Sequence, residues 1–384
     1  EKALRYGEEG LRLARELKDT TAIASALNSI SETYLNFGDF EQAEKITREE
    51  LPFARAVSDP KPLLGALTRL GTINYRRGAL DSALTYQLQV LREAEKINKP
   101  EYIGVATINV GLTYMDLKRY DEALEQFNKS LKAFQGMGFK AGIGACYVNI
   151  AEVLRNQKKY AEGLDAALKG EAVLLQSGNK LHLGYMYAIM ADLYAGLRDK
   201  PKFLEYAQKA LALAKENQDE LSIAQSQVKV GRAYLETGDP ANAKQYFDAA
   251  LAGAKKIQHK ATILDAYANL RDWHLLQRDF DAAKLYDQKF TSGMDSVFNA
   301  NMAEKVADSK TKYETEKKEA EIARQRLALL NQQIWIYGLL GGLLAVLALG
   351  YLFYNRYRLR KKADIDAAVI REKQLGLNTV IEAQ

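Results

Sequence analysis

The 384-residue sequence has a single cysteine, six prolines and three histidines. One cysteine, Cys146, excludes an internal disulfide framework, and a small apolar filler is its expected role. His182, His259 and His274 stand on different segments with no partnered cysteine or carboxylate at ligand spacing, so no zinc site is expected. Scarce proline, beside abundant Ala, Leu, Glu and Lys, argues against a Gly/Pro-punctuated β architecture and for an all-α chain. Charge of one sign is lacking too: 54 basic residues are interleaved with 49 acidic ones, for a net +5, which argues against a nucleic-acid surface. No Gly-rich phosphate loop, nucleophile elbow or paired-acid motif occurs, so no catalytic residue is expected in this chain. The sequence begins at Glu1 without a methionine, which reads as a piece or processed form of a longer protein.

Long uncharged runs are absent except at one place. Ile334 to Tyr354, IWIYGLLGGLLAVLALGYLFY, is 21 residues without a charge. At about 1.5 Å per residue a helix of that length matches the roughly 30 Å hydrocarbon core of a bilayer. Trp335 and Tyr337 open it and Tyr351 and Tyr354 close it, as interfacial rings do. Arg356, Arg358, Arg360, Lys361 and Lys362 follow directly, whereas the nearest cation on the other side is Arg326. The positive-inside rule then puts the C-terminal side in the cytoplasm and the N-terminal region outside it. Gly338, Gly341 and Gly342 give the span a small-residue face for helix pairing.

The first 290 residues repeat with a period of 40: Ala3, Ala43, Ala83, Ala123, Gly163, Phe203, Ala243 and Ala283 share one register. A second mostly small position lies twelve residues before the last seven, at Ser31, Gly71, Gly111, Ala151, Ala191, Gly231 and Arg271. Three residues on come Tyr34, Asn74, Tyr114, Leu154, Tyr194, Tyr234 and His274, mostly large rings. Large against small is how helices pack closely. Breaks such as Phe37-Gly38-Asp39-Phe40 and Thr237-Gly238-Asp239-Pro240 mark the turns of helical hairpins. The reading is a solenoid of seven hairpins plus a leading half repeat over residues 1–290.

These residues resemble a tetratricopeptide repeat, on Val110-Gly111-Leu112-Thr113-Tyr114 with Ala123 and Phe127, and on Val230-Gly231-Arg232-Ala233-Tyr234 with Ala243 and Phe247. The period is 40 rather than the common 34, and the fourth, fifth and seventh repeats depart from the pattern at Gly163, Phe203 and Arg271. The resemblance implies a superhelix whose concave wall is formed by the first helix of each pair and binds a peptide or protein segment. By that register the ligand-facing wall includes Asn28, Glu32, Thr68, Thr72, Tyr75, Glu152, Arg155, Tyr185, Asp192, Arg232, Asp265 and Asp272.

Residues 291–333 read as a continuous charged helix with a weak three-four seam from Asn299 through Met302, Val306 and Tyr313 to Ala323, Leu327, Leu330 and Ile334, which allows a coiled coil and a homodimer. The span 334–354 and a juxtamembrane helix 355–384 follow. The last residues, Arg371 to Gln384 with the run Val380-Ile381-Glu382-Ala383-Gln384, resemble the lead-in to the phosphoacceptor helix of bacterial sensor histidine kinases of the nitrate-sensor class. That resemblance implies the inner membrane of a bacterium, lipid and response-regulator partners, and ATP and Mg used by a kinase core beyond Gln384, with no cofactor in this chain. A membrane-tethered transcription regulator and a non-enzymatic membrane scaffold remain alternatives.

Overall fold

Thirteen of the links between helices turn on one residue with left-handed backbone, at Lys18, Gly38, Gly78, Asn98, Lys118, Gly138, Lys158, Gly178, Arg198, Gln218, Gly238, Gln258 and Arg278. Each number differs from its neighbours by 20, apart from the gap at 58. The 40-residue sequence period is thus two 20-residue helix-turn steps in the backbone. The computed structural model describes the backbone of residues 2–381 and the side chains of 2–296, 324–325 and 327–373. The leading helix is α1 (Lys2–Glu16). Seven hairpins follow: α2 (Thr20–Phe37) with α3 (Phe40–Ala56), α4 (Lys61–Arg76) with α5 (Leu80–Ile97), α6 (Pro100–Asp116) with α7 (Tyr120–Gly136), α8 (Lys140–Asn156) with α9 (Tyr160–Ser177), α10 (Lys180–Gly196) with α11 (Lys200–Glu216), α12 (Glu220–Thr237) with α13 (Pro240–Lys256), and α14 (Lys260–Leu276) with the start of α15 (Phe280–Ile381).

The links are short because each does two jobs at once. At eleven of these thirteen links the residue after the left-handed one sends its N–H back to a carbonyl five residues earlier, as Asp39 does to Tyr34 at 3.0 Å and Asp199 to Tyr194 at 3.0 Å, which closes a Schellman motif. That same residue is the N-cap of the next helix, and where it is an aspartate its side chain caps it. The Asp19, Asp39, Asp199, Asp219 and Asp239 carboxylates accept N–H groups of the following first turn. The exception is the link from α3 to α4, where Val57 is extended and Pro60 begins the next helix.

Inside each hairpin the small residue of the first helix faces the position 16 residues later. The Phe127 ring lies against Gly111 and the Phe247 ring against Gly231; a Cβ on either glycine would stand 2.6 Å from the ring. Both phenylalanines are fully buried. In the seventh hairpin this pair becomes Arg271 and Asp287, joined at 3.2 Å, so an ion pair occupies the place of a ring on a glycine. The ring residues stack on the position 12 residues later: Tyr194 on Tyr206 at 5.1 Å, Tyr234 on Tyr246 at 5.6 Å and His274 on Tyr286 at 5.4 Å. His274 therefore acts as an aromatic member of the series. Cys146 is buried, and its thiol lies 3.3 Å from the Ser130 hydroxyl; burial pushes the thiol up to about 11, where it is inert at neutral pH.

Two compact units divide between Lys305 and Val306. The first is the all-helical solenoid. In the second, the stretch Leu327–Lys373 is long and apolar enough to cross a membrane, with a mean hydropathy of 2.1 in its best window and none of that window buried. The seam expected from Asn299 to Ala323 and the tail side chains from Gln374 onward lie outside the described residues; Leu327, Leu330 and Ile334 are exposed.

Candidate functional site

The first helices of successive hairpins pack on one another, α2 on α4, α6 on α8, α8 on α10, α10 on α12 and α12 on α14. Among the described residues no second helix packs comparably on the next second helix. Crowded first helices and splayed second helices curve the stack, with the first helices on the concave side.

On that side the helices α6, α8, α10, α12 and α14 line one groove of about 1030 Å3. Its apolar floor comes from Ile108, Leu112, Ala145, Val148, Ala188, Ile189 and Val228. Polar groups then converge on it: Asn149, Glu152 and Arg155 from α8, His182 and Tyr185 from α10, Gln225, Lys229 and Arg232 from α12, and Asp265, Asn269 and Asp272 from α14. An apolar floor with a few aimed polar groups is the ordinary make-up of a ligand site.

Asp192 of α10 organises the middle of the groove. Arg155 Nη1 donates to Asp192 Oδ2 at 2.7 Å, and Lys229 Nζ donates to both carboxylate oxygens at 2.6 Å. One carboxylate thus ties three successive first helices together, across sequence separations of 37 residues each way. Burial pushes the Asp192 carboxyl up, but Lys229 and Arg155 outweigh it and hold the group below the usual carboxylate range. Asp265 goes the other way: its partial burial raises it against the pull of Lys229, Arg232 and His259. Burial alone lowers His182, whose ring also meets Tyr185 edge-on at 6.3 Å.

Of the twelve residues expected on the wall, Glu152, Arg155, Tyr185, Arg232, Asp265 and Asp272 line this groove, and Asp192 lies among them as the partner of Arg155. The five on α2 and α4 are not brought to it. Asn28 accepts a hydrogen bond from Arg69, whose guanidinium also meets the fully buried Glu50 at 3.3 Å. Glu32 acts on Glu50 through its charge, and burial above all raises the Glu50 carboxyl to about 7. Thr68 and Thr72 face a crevice of only about 10 Å3. The Tyr75 hydroxyl donates to Asp116, which ties α4 to α6.

Sequence reasoning missed Asn149, Lys229, Asn269 and Gln225. The first three share the register two residues before the small position, Ser29, Arg69, Asn109, Asn149, Ile189, Lys229 and Asn269, which is polar in all but one repeat. That polar column was the available signal. Among the described residues no cluster of His, Cys, Asp and Glu is placed to hold a metal ion.

Two family models described as tetratricopeptide repeat match residues 63–136 and 224–252. No curated protein matches the sequence. Among solved structures, the apo form of RapI is similar over 72% of this chain and 99% of its own, with 15% identity and a TM-score of 0.60. A signal-transduction ATPase with numerous domains and a tetratricopeptide repeat sensor, from Pyrococcus horikoshii, is similar over 75% of this chain and 45% of its own, with 18% identity and a TM-score of 0.60. NprR in complex with its cognate peptide NprX is similar over 75% of this chain and 87% of its own, with 16% identity and a TM-score of 0.50. At these identities the likeness is one of fold. Residues 63–136 and 224–252 carry tetratricopeptide repeats, and the hairpins together form an all-α solenoid like those built from that repeat.

Proposed function

On this tetratricopeptide-repeat scaffold, we propose that the chain is the receiving and membrane-anchored part of a signalling receptor, and that its groove binds a short extended peptide or protein segment. The groove carries the reading: about 1030 Å3 of concave space with an apolar floor and polar side chains from four helices. Three helix spacings of about 9 Å separate α8 from α14, which is the length of about eight extended residues at roughly 3.3 Å each. NprR, similar in fold, is itself a peptide-binding protein, and the sensor region of the Pyrococcus horikoshii ATPase is built from the same repeat.

The apolar run Ile334–Tyr354 within the helical segment Leu327–Lys373 supports anchorage in a bilayer, and Arg356, Arg358, Arg360, Lys361 and Lys362 support a cytoplasmic C-terminal side. The finer reading is a sensor histidine kinase whose phosphoacceptor lies beyond Gln384, supported by the resemblance of Val380 to Gln384 to that family's lead-in. In this reading occupancy of the groove is relayed through paired helices to the kinase core, which uses ATP and Mg and phosphorylates a response regulator.

The test is retention of peptides from a random eight-residue mixture by the full chain in lipid nanodiscs, read by mass spectrometry, with Ala188→Trp filling the groove. Retention lost in Ala188→Trp supports the reading, and retention equal in both proteins refutes it. For topology, Lys129→Cys in a Cys146→Ser background reacts with a membrane-impermeant thiol reagent on intact cells; reaction only after lysis refutes the external placement. A His-Asp pair in the residues after Gln384 carries the kinase assignment, and its absence removes it.

A further inference from the structure

The groove is not uniform along its length. At its α6 end the groove has an apolar strip, Ile108 and Leu112 of α6 with Ala145 and Val148 of α8, beside which α8 also presents Asn149 and the paired Glu152 and Arg155. The two charged residues of α12 in the groove, Lys229 and Arg232, are both cationic, and the two of α14, Asp265 and Asp272, are both anionic. The cations are not equivalent. Arg155 and Lys229 are both engaged by Asp192, and Arg155 also by Glu152 at 3.3 Å, so the two cations are balanced by two carboxylates from within the protein. Arg232 and Asp265 make no ion pair among the described residues, although each lies close enough for Arg232 to pull on the Asp265 carboxyl. The Arg232 guanidinium stands 5.9 Å from the Phe203 ring, which backs it without satisfying its donors. Asp272 is shared with Arg271 on the same helix. The groove therefore offers one cationic position on α12 and one anionic row on the next first helix, both exposed to an incoming ligand.

We infer that the groove selects its peptide by the order of three chemical groups: an apolar side chain against α6 and α8, a carboxylate at Arg232, and a cationic group at Asp265 and Asp272. The inference rests on the peptide-binding reading above and adds the class of ligand. A peptide with its charges in the opposite order sets its cation against Arg232 and Lys229 and its carboxylate against Asp265 and Asp272. Like charges so placed penalise the wrong partner as effectively as the matched ones favour the right one. Binding also leaves the Arg155–Asp192–Lys229 trio intact, because Arg232 meets the ligand without withdrawing a partner from Asp192.

The experiment uses the full chain in nanodiscs and fluorescein-labelled octapeptides of alanine and serine that carry one leucine, one glutamate and one lysine, two to four residues apart. Fluorescence polarisation compares peptides with glutamate between leucine and lysine with peptides that have lysine between leucine and glutamate. The expected result is at least tenfold tighter binding of the first series. Arg232→Glu combined with Asp265→Arg is expected to invert the preference, and Arg232→Gln combined with Asp265→Asn to erase it, with the helical circular dichroism signal retained in both. Equal affinity for the two series in the unaltered protein overturns the charge order and leaves the peptide-receptor reading standing. Absence of binding by every peptide, with the chain folded, overturns that reading and the charge order together.

Discussion

The ring of Phe127 lies where the Cβ of residue 111 would be, 2.6 Å from it, so Gly111 is required by its neighbour and not by any turn. Adding a methyl group there gains roughly 1 kcal/mol of helix propensity but forces the ring or α7 to move, at a cost of about 1–3 kcal/mol. Gly111→Ala is expected to be net destabilising by about 1 kcal/mol, with faster amide exchange in α6 and α7. An unchanged or raised denaturation midpoint would show that the contact is slack.

The left-handed link positions make the opposite prediction. Eight of the thirteen are occupied by Lys, Asn, Arg or Gln, as at Lys158 with φ 60° and Arg198 with φ 62°. An L-residue in this conformation is strained by about 1–2 kcal/mol, and glycine gives back part of that through its floppier unfolded chain. Lys158→Gly and Arg198→Gly should each stabilise the array by about 0.5–1 kcal/mol in chemical denaturation, and Gly178→Lys should cost a similar amount. Loss of stability in the glycine variants would sink the argument.

Asp192 is expected to hold the curvature of the middle repeats. Asp192→Asn leaves the partly buried Lys229 without its carboxylate partner and Arg155 with Glu152 alone, a loss of about 1–3 kcal/mol once partial solvent screening is allowed for. Because the carboxyl is held below its ordinary range, its contribution is complete above that range and disappears as pH falls through the depressed value. The variant should therefore differ most from the parent at neutral pH and converge with it in acid. Parallel melting curves from pH 7 down to pH 2 would refute this.

Glu50 should impose the reverse dependence. Its carboxyl is raised to about 7, so it is protonated in the folded chain at pH 5 and must ionise inside the protein at pH 8. Stability carried by the neutral form is complete below the unfolded value and is lost as pH rises through about 7. Melting temperature should fall between pH 5 and pH 8, and Glu50→Gln should flatten that fall. A parent that grows more stable over the same range would mean that Arg69 keeps Glu50 charged throughout.

Much of the scaffold could be read before any coordinates. Gly111, Gly231 and Tyr234 repeat at 40 residues because close helix packing admits few residue types, so the constraint is written directly in the chain. The 20-residue step was not legible, since Lys158, Arg198 and Gln258 are ordinary surface residues in sequence and their left-handed backbone is imposed by the Schellman closure around them. The wall was half legible. Arg155, Arg232 and Asp265 follow from register, whereas the meeting of Arg155, Asp192 and Lys229 depends on the curvature that brings three helices around one carboxylate. Tyr75 shares the register of Arg155, and Asn28 that of Thr68, but the hydrogen bonds of Asn28 with Arg69 and of Tyr75 with Asp116 engage these two with neighbouring first helices.

The even 20-residue step also bears on how such a protein changes its ligand. Excising 40 residues between equivalent left-handed residues, such as Lys118 and Lys158, rejoins a complete turn to a complete helix and shortens the groove by one helix width, about 9 Å. Duplicating the same 40 residues lengthens it by as much. The array behaves as a graduated ruler, and gain or loss of one hairpin would retune the size of what it measures without redesigning any joint.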